Sequence, residues 1–437
     1  MEERTTSWPL RVFLMDLLSM VPYYTGHLCV RLRQVPGMEI TLGSITYSHD
    51  RNFFKRAGLL NDPGCLDIAC RLPNAVAPLR RALKVLECLL NLAAWSLRFS
   101  VRKPDIIHVQ FIPLVNYRLP FEVWFLKLAR GVGIKLVYTV HNVLPQDTGE
   151  RHRAVYARIY KLIDGFICHD LHAKARLESE FRVSPDRISI IPHGTLFQSE
   201  RVNAPEQARA RAGLPAEACI VLWQGIVRPY KGISFLLKAW KMVQEAGLAA
   251  ILVIVGTGDK NQLRAIEDGV TSAGIQSSVR LVLRFVSVEE LANFYQASDI
   301  VVYPYSESTT SGAFMTGLGY GKAIVASALP AFAQLLRHED NALLVHYGNV
   351  SELGTALIRL VGDPELRLRL AQRLVASQAN TPNWEDIVQL TSQFYRAVLS
   401  SASPLREESP ACVARYSYVA NSPTAPHAKD PQVPRAL

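Results

Sequence analysis

The sequence predicts an α/β protein built as two doubly wound domains in tandem. Three observations predict it. Short apolar runs alternate with longer amphipathic segments, the pattern of buried parallel strands joined by crossover helices. The alternation lapses into a polar, Ala/Arg-rich stretch after His193-Gly194 and restarts at Cys219. The 437 residues give room for two or three domains of ordinary size.

In the first half, Arg11–Asp16, Ile106–Gln110, Lys135–Val140, Gly165–His169 and Ile188–Ile191 read as buried strands, with helices at Phe121–Arg130 and Arg151–Ile163. Gln198–Ala212 reads as a linker with a lead-in helix. In the second half the expected strands are Cys219–Gln224, Ala250–Val255, Arg280–Phe285, Ile300–Pro304 and Ala323–Ser327. The expected helices are Ile233–Ala246, Lys260–Ala273, Val288–Ala297 and Gly312–Tyr320. Glu365–Gln378 and Trp384–Leu399 read as closing helices. The expected boundaries are a first domain over 1–198, a second over 199–382, a closing helix over 383–400 and a tail over 401–437. That tail is rich in Ser, Pro and Ala without apolar periodicity and reads as disordered.

Composition removes several classes. Hydrophobic residues make up 49 % and charged residues 20 %, an ordinary globular balance. The seven cysteines are scattered, odd in number and form no CxxC pair, which argues against a disulfide framework or zinc site and for a reducing, cytoplasmic setting. The net charge of +10 fits anionic substrates or an anionic membrane surface. No dense Lys/Arg run carries interleaved aromatics, so nucleic acid is not an expected partner. Met1 to Pro9 lacks the charged-then-apolar pattern of a secretory leader. The longest apolar stretch, Val85–Phe99, is interrupted by Glu87, Asn91 and Arg98 and is too short and polar to span a bilayer. Two readings of it stay open: a helix packed on a sheet, or a helix lying on a membrane surface with Arg80, Arg81, Lys84, Arg98, Arg102 and Lys103.

Ligands of open α/β sheets bind at the carboxyl ends of the strands, so the segments that follow them hold the candidates. Gly225–Gly232 follows the first strand of the second half and sets Arg228 and Lys231 three residues apart just before a helix. Cations beside a glycine-opened backbone suit a pyrophosphate, although a plain basic turn reads the same way. Pro304–Gly312 follows another strand of that half and leads into a helix. Thr310, Ser311 and Gly312 stand at its start, where unpaired amides and the helix dipole favour an anion and where a simple N-cap is the alternative. Two such segments in one domain could grip one pyrophosphate from two sides. In the first half His141 ends a strand at the expected cleft, a position suited to hydrogen bonding or acid–base work. His169 and His193 are weaker candidates. Gly256-Thr257-Gly258 lacks a third glycine and reads as a tight turn. The segment after Arg11–Asp16 has no glycine fingerprint, which argues against a dinucleotide oxidoreductase.

Taken together, Pro104–Gln110, Thr139–Pro145, Ile190–Gly194, Arg228–Gly232 and Ser298–Ser327 resemble the retaining, GT-B-fold glycosyltransferases of family 4, the group 1 type. The resemblance runs from about Lys103 to about Leu399. It implies a GT-B architecture of two Rossmann-like domains facing a cleft, with the nucleotide-sugar donor held by the second. It implies that Arg228, Lys231 and the helix start at Ser311-Gly312 grip the donor diphosphate, that His141 lies near the transferred sugar, and that Arg284–Ser287, with Phe285 and Val286, lies near the nucleobase. Glu307 is the candidate for the donor sugar. The family needs no bound metal and no cofactor, the nucleotide-sugar being a co-substrate. The chain departs from the family at the usual pair of glutamates: Ser308 and Thr316 stand there. A subgroup with Arg-Pro-Tyr-Lys-Gly in the first loop and Pro-Tyr followed by Ser-Gly in the second fits better.

The expected activity is transfer of a sugar, with retention of configuration, to a carbohydrate or lipid-linked acceptor, as in polysaccharide biosynthesis. The rival reading is a catalytically silent GT-B module that binds nucleotide or protein partners or acts as a membrane-surface scaffold. A peripheral contact with an anionic membrane at the inner face would combine the two.

Overall fold

A computed structural model of the chain describes residues 9–46, 50, 52–59, 65–69, 77–117, 119–145, 149–197, 203–308, 311–378 and 383–400. The expected tail over 401–437 and Thr310 lie outside the described residues. The described chain forms two lobes, each a six-stranded parallel sheet flanked by helices.

The first sheet holds β1 (Leu10–Asp16), β2 (Met38–Ser44), β3 (Ile106–Val109), β4 (Lys135–Val140), β5 (Gly165–Cys168) and β6 (Ile188–Ile190), ordered β2-β1-β3-β4-β5-β6. The second holds β7 (Cys219–Ile226), β8 (Ala250–Thr257), β9 (Val279–Val282), β10 (Ile300–Tyr303), β11 (Ala323–Ser327) and β12 (Leu343–Val345), ordered β12-β11-β10-β7-β8-β9. Central strands such as β7 and β10 are buried on both faces, which explains their unbroken apolar runs. Each sheet starts in its middle, winds outward, and returns to the other side of its first strand. The reversal falls between β1 and β3 in one lobe and between β7 and β10 in the other, and ligand crevices open at such points.

Several expectations need correction. β2 is absent from the sequence reading because Met38–Ser44 is an edge strand that mixes Glu39 and Thr41 with its apolar residues. Its Gly43 leaves room for the Phe13 ring of β1, which a Cβ would meet at 2.2 Å. β12 has only three residues, too few to show a period. β9 stops at Val282, so Arg284-Phe285-Val286 is loop and not strand; Ser287 then caps the helix Val288–Ala297 by accepting from the Glu290 amide. Gly256 is no turn: β8 runs through Thr257, and a Cβ on Gly256 would stand 1.9 Å from the Gly225 carbonyl oxygen of β7.

One side of the first sheet carries helices Ala77–Val101, Phe121–Gly131, Arg153–Tyr160 and Leu171–Phe181. Trp95 and Phe99 meet Phe13 edge-to-face at 4.9 and 5.0 Å. The other side carries helix Pro22–Leu32 and, from the far end of the chain, helix Trp384–Ser400. The latter buries Trp384, Ile387, Val388, Phe394, Tyr395 and Val398. At about 1.5–3 kcal/mol per buried large side chain, this is a substantial fraction of the packing on that face. The helix that closes the described chain therefore belongs to the first lobe. Among the described residues no helix is long and apolar enough to cross a membrane, and five cysteines are free thiols.

Candidate functional site

The two segments singled out after β7 and β10 meet in space. The Ser306 amide donates to the Tyr230 carbonyl at 2.8 Å, which ties one loop to the other. Gly232 sits at φ +67°, and a Cβ there would lie 1.8 Å from the Pro304 carbonyl oxygen. Only glycine permits both the left-handed turn and this approach. The join brings the Tyr305 ring beneath the Lys231 ammonium, 5.6 Å from its centroid. A glycine at 225 leaves the space that the Lys231 Nζ fills.

Lys231 is the electrostatic centre of the site. It is 7 % exposed, and among the described residues it has no carboxylate partner. Burial, and then the neighbouring charge of Arg228, push its ammonium down to about 8. Arg228 is exposed on the same loop. Opposite stands helix Gly312–Gly319. The Ser311 hydroxyl accepts from the Phe314 amide at 3.3 Å, so it caps the helix. The first-turn amides have no partner within the helix and point along its positive end.

These groups line one cavity of about 330 Å³ between the lobes. From the second lobe it takes Gly225, Arg228, Lys231, Gly256, Thr257, Arg284, Phe285, Val286, Ser311 and Gly312. From the first it takes Met20, Val21, Tyr24, Phe111, His141, Asn142, His193 and Leu196. Both switch points thus open into the same space. Of the residues expected at the site, His141, Arg228, Lys231, Ser311, Gly312, Phe285 and Val286 come together here. Glu307 is exposed and is not among the residues that line the cavity. Thr316 is fully buried and its hydroxyl donates to the Gly312 carbonyl of its own helix at 2.6 Å, so it faces away from the cavity.

The first-lobe wall holds a histidine cluster. The Tyr24 ring lies 5.0 Å from His141, 5.2 Å from His169 and 4.8 Å from His193. Burial lowers all three imidazoles: His141 well below its ordinary value, His169 to about 4 and His193 to about 3. They are neutral near pH 7. His141 Nε2 meets Gln110 Oε1 at 3.1 Å, Gln110 Nε2 meets His108 Nε2 at 3.1 Å, and His108 Nδ1 meets the Tyr395 hydroxyl at 2.6 Å. With the Gln110 amide so assigned, its NH2 donates to His108 and its carbonyl accepts from His141 Nε2–H, which fixes the His141 tautomer. Asp16, at the end of β1, is buried beside this wall and its carboxyl is pushed up to about 6 by burial; it accepts from the Met20 and Val21 amides and the Thr25 hydroxyl. Tyr24 and Gln110 escaped the sequence reading as site residues, and His193, there a weaker candidate, lines the cavity. Gln110 and His193 stood within quoted motifs, whereas Tyr24 lies on a helix and carries no local signal. Among the described residues no group of three or more His, Cys, Asp or Glu side chains could hold a metal ion.

Comparison with known proteins bears on the family and the fold. Residues 24–195 match the family described as Glycosyltransferase Family 4, and residues 218–363 match Glycosyl transferases group 1. D-inositol 3-phosphate glycosyltransferase 1 of Catenulispora acidiphila is 26 % identical over 290 residues, 62 % of this chain and 69 % of the relative. A D-inositol 3-phosphate glycosyltransferase of Nocardioides is 29 % identical over 287 residues, 60 % of this chain and 62 % of the relative. Among solved structures, Anabaena HepE in complex with UDP and glucose superposes with a TM-score of 0.69 at 14 % identity, over 90 % of this chain and all of that one. Sucrose-phosphate synthase of Thermosynechococcus elongatus gives 0.67 at 18 % identity, over 91 % of this chain and all of that one. At such identities the structures speak to the fold alone.

Proposed function

The chain belongs to the GT-B-fold glycosyltransferases, both halves matching family models that together span well over half its length, and from that premise we propose how its cleft works. The cavity takes a nucleoside diphosphate sugar with its diphosphate between the Arg228–Lys231 loop and the N-terminus of helix Gly312–Gly319. The observation that carries this reading is Lys231: a cation buried with no carboxylate partner among the described residues, facing a cavity. A buried charge is costly unless paired, and an anionic ligand supplies the pair.

When the sugar–oxygen bond breaks, negative charge grows on the departing diphosphate. Lys231, Arg228 and the helix amides are already aimed there, so they stabilise the transition state more than the ground state. His141 is neutral and donates to Gln110 through Nε2, so it positions a sugar hydroxyl by hydrogen bonding and transfers no proton near pH 7. The cavity's aromatic wall at Phe285 and the backbone at Gly256 suit a flat base and its ribose. The acceptor hydroxyl attacks on the face the diphosphate leaves, its proton passing to the departing diphosphate oxygen as the sugar–oxygen bond breaks, which gives retention of configuration. The acceptor is bound by the first lobe.

Titration of the protein with UDP, GDP, UDP-glucose, UDP-N-acetylglucosamine and GDP-mannose, without added metal, tests the donor site. Lys231→Ala and Arg228→Ala should each weaken binding by roughly 10- to 150-fold, the loss of a charge-assisted contact worth ~1.5–3 kcal/mol. Unchanged affinity in both variants would overturn the assignment. Transfer is then assayed with the best donor and D-inositol 3-phosphate as the first acceptor, reading the anomeric configuration of the product by NMR. Donor binding without transfer or donor hydrolysis for any acceptor would favour the silent binding module.

A further inference from the structure

We propose that the outer face of helices Ala77–Val101 and Phe121–Gly131 docks the chain on an anionic lipid bilayer. Helix Ala77–Val101 buries one stripe on the first sheet, through Cys88, Leu92, Trp95 and Phe99, as a packed crossover helix does. Its opposite face is also apolar. Leu79, Leu86, Leu90, Leu97 and Val101 recur at helical spacing and stand in solvent, Leu97 at 75 % and Val101 at 90 % exposure. Helix Phe121–Gly131 lies beside it against the same core and adds Trp124, 57 % exposed. A helix of 25 residues is about 37 Å long, so its leucines form an extended apolar surface and not a scattered few.

Charge selects the occupant. The two helices and the turn after the first carry Arg80, Lys84, Arg98, Arg102, Lys103, Lys127 and Arg130. The only acidic residues of the two helices, Glu87 and Glu122, are buried at 1 % and 0 % exposure, and Asp105 in the turn is held by the Arg11 amide and guanidinium. Glu87 is turned inward to accept the Ala69 amide, and Glu122 to accept the Leu114 amide. The exposed side of the pair is therefore apolar, bordered by the exposed Arg102, Lys103, Lys127 and Arg130, and neither helix exposes a carboxylate of its own. A self-complementary protein interface has no use for a border of one sign, whereas an interfacial helix on anionic lipid needs leucines to enter the acyl boundary, a tryptophan at headgroup level and cations toward the phosphates. The helix lies in the plane of the surface. This inference is independent of the donor-site reading.

The test uses the full chain and vesicles of phosphatidylcholine alone or mixed with phosphatidylglycerol. Sedimentation should show binding to the mixed vesicles, with Trp124 quenched by brominated lipid and that quenching lost in Trp124→Phe. Leu90→Gln/Leu97→Gln/Val101→Gln, which changes no charge, should lower partitioning by roughly tenfold or more and leave thermal unfolding unchanged, because the three side chains are exposed. Arg102→Gln and Lys127→Gln should each lower it roughly fivefold on mixed vesicles. Three results would overturn the proposal: no sedimentation with the mixed vesicles, binding that the triple variant retains, or a dimer in light scattering that the triple variant splits while neither form binds vesicles. If the triple variant fails to fold, absence of quenching in the native chain decides against it.

Discussion

Lys231 shows how one residue carries both a cost and a function. Its ammonium sits at about 8 because burial and Arg228 both oppose the charge. A bound diphosphate would favour the charged form and raise that value. A group whose pKa is higher in the complex than in the free protein contributes affinity that is fully present below the free value and is lost above it. Nucleotide affinity should therefore hold through neutral pH and fall by about tenfold per pH unit above pH 8, until the pKa of the complex is reached. Calorimetric titrations across that range check this, and Lys231→Ala, which has no such group, should give a weak and flat profile. A flat profile in the native chain would remove Lys231 from the diphosphate. No inflection from His141 is expected near pH 6.5, since its imidazole is neutral throughout that range. Lys231 was legible in the sequence because a cation pair after a strand and before a helix has a local reading. Tyr24, which gathers three histidines around its ring, was not, since those contacts join residues 117 to 169 positions apart. Thr316, which stands where the family has a glutamate, spends its hydroxyl on its own helix.

At the scale of elements the site depends on the close seating of the Arg228–Gly232 loop against the loop after β10. Gly232→Ala should break that seating. A side chain in the left-handed region costs roughly 1–2 kcal/mol, and the new methyl would also meet the Pro304 carbonyl oxygen at 1.8 Å. Gly247→Ala is the control. It has the same φ of +67° with no atom within 4 Å of the added Cβ, so it carries the strain without the collision. Thermal unfolding should show a small loss for Gly247→Ala and a larger one for Gly232→Ala, and only the latter should weaken nucleotide binding. Equal losses would mean that the approach to Pro304 does not hold the loop. The elements themselves were legible where burial on both faces writes a continuous apolar run: β4 and β11 have the bounds the sequence predicts. They were illegible where a strand lies at an edge, as β2 does, or is too short for a period, as β12 is. The predicted strand to Phe285 ran long because Leu283 and Phe285 continue the apolar signal into a loop that faces the cavity.

For the whole molecule, the chain passes from the first lobe to the second after β6 and returns before helix Trp384–Ser400, and both passages are pinned at one point. The Trp384 indole donates to the Thr195 carbonyl at 2.8 Å. Its ring covers Gly194 so closely that a Cβ there would stand 2.4 Å away. His27 stacks on the ring at 5.4 Å and Arg31 lies over it at 5.1 Å. Glycine after His193 is thus explained by packing against a residue 190 positions later, which no local pattern could announce. The same contact ties the end of the described chain to the wall that carries His141, through Tyr24 at 5.6 Å from Trp384 and through the Tyr395–His108–Gln110 chain. Two variants separate these ties. Trp384→Ala removes a large buried side chain and should cost about 3–5 kcal/mol, with a fall in melting temperature and, because both passages lose their anchor, a broader distribution of interlobe distances in small-angle scattering. Tyr395→Phe leaves the packing intact but strands the His108 Nδ1–H in a buried site, at a cost of about 1–3 kcal/mol. It should leave the scattering profile unchanged. If His108 and Gln110 hold His141 in its tautomer, Tyr395→Phe should also lower turnover more than donor affinity, whereas a loss of stability with unchanged turnover would confine Tyr395 to packing.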